Sequence, residues 1–163
     1  METREPLEIS RPTLDDFRRH LRITSHDLDA ELTDKLRAAV RSAENEISTV
    51  IEPSVFTLSV PFSNCLPLRW PVRSVVSVEV DGEPLPADGY EYDEKSLTIA
   101  GSVSGKRLVV EYEAGLEQVP ADVQSAILLL AGSLFNNPTD RPEERDRTTA
   151  RNLLRPYRTW GEH

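Results

Sequence analysis

Apolar residues recur at helical spacing in two long stretches that bracket a segment of a different period. Leu28, Leu32, Leu36, Ala39, Val40, Ala43, Ile47, Val50 and Ile51 fall at steps of three and four. That stripe predicts a helix over 28–51, capped by Asp27 and stopped by Pro53, about 35 Å long at ~1.5 Å per residue. Small residues at its centre, Ala38, Ala39 and Ala43, allow another helix to approach closely. The second stretch, Pro120 to Phe135, is apolar nearly all round at Ile127 to Leu130 and predicts the most buried helix, with Pro120 in its first turn. A short helix at 14–21 follows from Leu14, Phe17 and Leu21, with Thr13 as N-cap and Asp16 at the third helical position. A last helix, opened by Asp140, carries Arg147, Arg151 and Arg155 at i, i+4, i+8 and ends at Pro156.

Between the long helices the period falls to two. Val55 to Val60 and Val76 to Val80 alternate, and Asp81-Gly82 marks a tight turn. Tyr90 to Asp93, Leu97 to Ile99 and Arg107 to Tyr112 add short strands, while prolines at 61, 67, 71, 84 and 86 confine several of them to edges. The expected fold class is α+β: a helical scaffold with a small antiparallel module of five or six strands let into it. Residues 1–53 and 119–163 would form one helical domain, and 54–118 the β insertion.

Composition narrows the function classes. Hydrophobic residues make up only 38% of the 163 and twelve are proline, so either much of the fold is extended or other subunits complete its apolar surface. The one cysteine, Cys65, excludes a disulfide framework and a thiolate metal site. Residues 1–9 lack the apolar run of a signal peptide, and no apolar stretch is long enough to span a membrane. A net charge of -9 argues against sequence-independent DNA binding, which needs a basic surface to release counterions. The charge is bipolar, however. From Arg145 to Arg158 five arginines (Arg145, Arg147, Arg151, Arg155 and Arg158) face one acid, Asp146, while Glu79, Asp81, Glu83, Asp88, Glu91, Asp93 and Glu94 crowd the β segment. Such a split suits head-to-tail contact between copies, docking on a charged partner, or nothing beyond a solvated surface.

Catalytic chemistry is not written in the sequence. Histidines 20, 26 and 163 are dispersed, without ligand spacing. Asp15-Asp16 and Glu143-Glu144 sit in first helical turns, where they complement the helix dipole. Gly101-Ser102-Val103-Ser104-Gly105 lies between strands and lacks the Lys-Ser/Thr pair of a phosphate loop. No cofactor or metal is expected. Trp70, before Pro71 at a strand end, either covers the sheet or anchors a neighbouring subunit, and Trp160 among arginines favours contact with a partner.

The ordered set Leu14-Asp15-Asp16-Phe17-Arg18-Arg19-His20-Leu21, Arg69-Trp70-Pro71-Val72-Arg73-Ser74-Val75, Val110-Glu111-Tyr112-Glu113-Ala114-Gly115, Pro120-Ala121-Asp122-Val123 and Leu153-Leu154-Arg155-Pro156-Tyr157-Arg158 resembles the head–tail connector (adaptor, or head-completion) proteins of long-tailed double-stranded DNA bacteriophages and gene transfer agents. The resemblance runs from about Leu14 to Arg158. It implies a structural, non-enzymatic protein of the virion neck, made in the host cytoplasm. Twelve copies would form a ring below the portal protein, extend the DNA channel and present a surface to the next neck or tail-completion protein. It further implies portal docking through Arg147, Arg151, Leu154, Arg155, Tyr157, Arg158 and Trp160. Leu36, Ala39, Ala43 and Trp70 would then lie between subunits, with genomic DNA passing through the lumen without sequence-specific contact. The alternative reading is a DNA-binding packaging factor of small-terminase type, which a short helix followed by a longer one can imitate; the acids Asp15, Asp16, Asp27, Asp29 and Glu31 around that turn oppose it.

Overall fold

The computed structural model describes residues 1–7, 11–137 and 144–158. Helices and antiparallel sheets are segregated in an α+β fold with two compact units, Met1–Glu8 with Glu52–Glu117 and Ile9–Ile51 with Gln118–His163.

Among the described residues the β-rich unit holds eight strands: β1 (Glu2–Pro6), β2 (Ser54–Pro61), β3 (Cys65–Pro67), β4 (Val72–Val80), β5 (Glu83–Pro84), β6 (Tyr90–Tyr92), β7 (Ser96–Ile99) and β8 (Arg107–Ala114). Five make one sheet in the order β1-β2-β8-β4-β5, and three make a second in the order β3-β7-β6, every pair antiparallel. The alternation of β8 sets the register. Leu108, Val110, Tyr112 and Ala114 are buried, and their cross-strand partners include Phe56 on β2 and Val78 on β4. Tyr112 is fixed at both ends: its ring stacks on Phe56 with centroids 5.4 Å apart, and its hydroxyl accepts the Arg69 backbone N–H at 3.1 Å. At the β4–β5 turn Asp81 (φ 54°) and Gly82 (φ 90°) both adopt the left-handed backbone that a two-residue hairpin turn requires. The Asp81 carboxylate also accepts the backbone N–H groups of Lys106 and Arg107, closing the 101–105 loop onto that turn.

Two sequence expectations change here. The described residues hold eight strands, not five or six: the expected strand at Tyr90 is present as β6, but β3 and β5 are only two or three residues long and carry no readable period, and β1 has no apolar alternation. The first residues, expected in the helical part, instead form β1 at the edge of the larger sheet. Arg4 holds it there: Nε donates to the Ser54 hydroxyl at 2.9 Å, a terminal nitrogen donates to the Glu52 carbonyl at 3.2 Å, and the guanidinium lies over the Phe56 ring.

The helical unit contains α1 (Leu14–Leu21), α2 (Asp29–Ile47), α3 (Ala121–Asn136) and α4 (Glu144–Leu154), followed by a 3-10 turn at Arg155–Tyr157. Helix α1 starts in a capping box, the Thr13 hydroxyl receiving the Asp16 N–H while the Asp16 carboxylate receives the Thr13 N–H. Helix α2 is shorter than its stripe suggested, about 28 Å at ~1.5 Å per residue, because Ser48 turns left-handed (φ 55°) and the buried Thr49-Val50-Ile51 leaves the helix. Asp27 is not its cap. Leu28 takes that position, Asp27 accepts the Ser25 hydroxyl, and Asp29 supplies the first-turn acid while bonding the Arg18 guanidinium of α1 at 3.1 Å. Helix α3, with Val123, Ala126, Ile127, Leu130 and Ala131 buried, packs against α1, α2 and α4. The expected cap Asp140 lies outside the described residues.

Candidate functional site

Helix α4 sits on its unit by a narrow apolar seam, Ala150 and Leu154, while Arg145, Arg147, Thr148, Thr149, Arg151 and Asn152 are exposed. The i, i+4 spacing of Arg147 and Arg151 lays both along one edge of the seam. There, with Ser42 and Glu46 of α2, Leu130 of α3, and Ala150 and Leu154, they line a recess of about 50 Å³. Arg151 donates from Nε to the Glu46 carboxylate at 3.1 Å, which fixes its guanidinium at the recess mouth. Arg147 has no hydrogen-bonded or ionic partner among the described residues. A recess of this size has room for a side-chain tip.

Arg155 and Arg158 are exposed beyond α4, and Tyr157 is half-buried with its hydroxyl 3.4 Å from the Asp122 carboxylate. Burial, assisted by that carboxylate, raises the Tyr157 phenol above its ordinary value. Trp160 lies outside the described residues.

Three of the sequence-derived contact residues are placed differently. Leu154, expected as a docking anchor, is 1% exposed and belongs to the α4 seam, the last apolar position before the chain turns at Arg155. Ala39 and Ala43, expected between subunits, are 0% exposed within the chain, on a helix that packs against α1, α3 and α4. Leu36 is half-buried on α2, and Trp70 is half-buried in the loop that leads into β4.

A second surface was missed by the sequence reading. The outward residues of β8 are Val109, Glu111 and Glu113, and pairing places Thr57 of β2 and Ser77 of β4 beside Glu111, with Val55 and Ser74 beside Glu113. Glu5 of β1 and Glu79 of β4 join the same face. None of these four glutamates has a hydrogen-bonded or ionic partner among the described residues. The cations nearest in register are Arg107 at the strand end, whose Nε is given to the Ser59 hydroxyl, and Arg73, exposed at a β4 bulge. A second bulge leaves Val76 54% exposed. The signal lay in the alternation Val109-Glu111-Glu113 against Leu108-Val110-Tyr112, but contiguous acids drew attention elsewhere. Of those, Asp81 and Asp93 serve turns. Asp93 accepts the Lys95 and Ser96 N–H groups, which hold its carboxyl below the ordinary aspartate range.

Among the described residues, no group of His, Cys, Asp or Glu is arranged to hold a metal ion, and no helix is long and apolar enough to cross a membrane. Cys65 is an exposed thiol on β3.

No family model and no curated protein matches the chain. Solved structures do. A chain from the neck of the empty gene transfer agent (GTA) particle, computed with C6 symmetry, superposes with a TM-score of 0.79 at 21% identity, covering 100% of this chain and 97% of that one. The fold is shared with neck chains. A chain from the neck of the native GTA particle, computed with C12 symmetry, gives 0.77 at 21% identity over 100% and 97% of the two chains. One from the virion of the native particle gives 0.75 at 21% identity over 99% and 97%.

Proposed function

We infer that this protein is a structural subunit of a virion neck, a head–tail connector that forms an oligomeric ring below the portal, extends the DNA channel and joins the capsid to the neck and tail. The observation that carries this is the end-to-end likeness to a neck chain, a TM-score of 0.79 with 100% and 97% of the two lengths covered. The symmetries of the similar particles, C6 and C12, favour a ring of twelve copies. The net charge of -9 suits a channel through which DNA slides, since like charges gain nothing from counterion release. Portal docking falls to the segment after α4, where Arg155 and Arg158 supply charge and Tyr157 a half-exposed ring.

The test is to mix the purified protein with portal-bearing capsids lacking it and to image the vertex by cryo-electron microscopy. A coaxial ring beneath the portal is expected, and an unchanged vertex refutes the reading. Deleting residues after Leu154 should leave the fold intact and abolish co-sedimentation with those capsids; undiminished co-sedimentation removes the docking assignment.

A further inference from the structure

We propose that the open glutamate face of the five-stranded sheet in one copy receives the arginine edge of α4 from the next copy, head to tail. This rests on the ring reading above and names the contact that would build the ring.

Both surfaces carry charges unmatched among the described residues. Glu111 and Glu113 stand half-buried on β8, flanked by hydroxyls and small apolar side chains, with no cation paired to them among the described residues. Arg147 likewise has no partner among the described residues, and Arg151 donates to the Glu46 carboxylate. Their spacings agree. Residues two apart on one face of a strand are separated by about 6.8 Å, and residues one helical turn apart by about 6 Å. Two glutamates on β8 can therefore meet two arginines on α4 simultaneously, each through a charge-assisted hydrogen bond. The recess beside Arg147 is lined by Ser42 and by Glu46, whose carboxylate Arg151 already holds. The occupant is a second copy because the complementary surfaces differ, so every copy gives one and receives one. A heterologous pattern of this kind builds a ring when the rotation between copies closes.

The experiment uses two charge-reversed full-length proteins, Glu111→Lys/Glu113→Lys and Arg147→Glu/Arg151→Glu, with circular dichroism confirming that each folds. Self-association is followed by sedimentation velocity up to millimolar concentration at low salt. Wild-type protein should associate and dissociate as salt rises. Each variant alone, now presenting like charges at every joint, should associate at least about tenfold more weakly. An equimolar mixture should recover, because alternation of the two variants makes every joint complementary again, a recovery that damaged folding cannot give. The proposal is overturned if wild-type protein stays monomeric, if either variant alone associates like wild type, or if the mixture does no better than its components. A ring on portal-bearing capsids that forms equally well from either variant alone would remove this contact while leaving the connector reading intact. Failure of wild-type protein to add any ring there would remove the connector reading instead.

Discussion

Gly115, one residue beyond β8, is where a single methyl group should cost most. Its backbone is left-handed, with φ at 136°, and its N–H donates to the Pro71 carbonyl at 2.9 Å, which ties the end of β8 to the start of β4. A Cβ there would lie 2.7 Å from the Pro53 Cα and 2.8 Å from the Pro53 nitrogen. Carbon atoms rest at about 3.5 Å or more, so backbone would have to yield by about 0.8 Å, and it cannot rotate away as a side chain can. Overpacking of this kind costs about 1–3 kcal/mol, and a non-glycine residue at positive φ adds about 1–2 kcal/mol. Gly115→Ala should therefore destabilise the β-rich unit by roughly 3–4 kcal/mol, a large share of what a domain possesses. The protein has two tryptophans, so in a Trp160→Phe background Trp70, part of the β-rich unit, becomes the sole reporter. Urea titration followed by its fluorescence should show the midpoint falling sharply with little change in slope. A shift equivalent to less than about 0.5 kcal/mol, within the ordinary range for surface substitutions, would mean the approach of Pro53 to Gly115 does not constrain the fold.

Tyr112→Phe leaves the Arg69 N–H without its acceptor and should cost about 1–2 kcal/mol in the same titration. Burial raises the Tyr112 phenol above its ordinary 10.0, so its contribution is complete below pH 10.0 and is lost as pH climbs through the higher folded value; the Phe variant should show a flatter alkaline limb. Thr13→Ala removes the capping hydroxyl of α1 and should cost about 1 kcal/mol at neutral pH, read by chemical denaturation monitored at 222 nm. The Asp16 carboxyl is pulled below its ordinary 3.8, chiefly by the Thr13 N–H, so its share of stability is present above pH 3.8 and disappears as pH falls through the lower folded value. Asp16→Asn should flatten that acid limb, and an unchanged limb would remove Asp16 as its cause.

Much of the architecture was legible because period carries it. The α1 capping box, the α3 core and the alternation of β8 are local patterns in which each apolar residue reports the face it occupies. What failed is equally physical. The α2 stripe continued past the helix because Val50 and Ile51 are buried too, and burial alone does not say in which conformation. Strand β1 was invisible because Glu2-Thr3-Arg4-Glu5-Pro6 has no apolar alternation. It is held by its ladder to β2 and by what Arg4 reaches fifty residues away, at Ser54.

The contact surfaces show the same division. Small residues at the middle of α2 point to a close neighbour, but small size does not say whether that neighbour belongs to the same chain, and Ala39 and Ala43 are buried within this one. A helical charge stripe survives folding nearly intact, since i and i+4 are neighbours by construction; Arg147 and Arg151 were readable for that reason. A sheet face is assembled from residues as distant as Glu5, Glu79 and Glu111, and only register brings them together. Counting contiguous acids therefore favoured turn carboxylates such as Asp81 and Asp93, whose charge is already used by backbone N–H groups. The glutamates with charge left to offer are the dispersed ones. Where a charged sheet face is proposed to bind, strand register says more about partners than local composition does, and reversing Glu111 and Glu113 tests that more directly than reversing any residue of the acidic run.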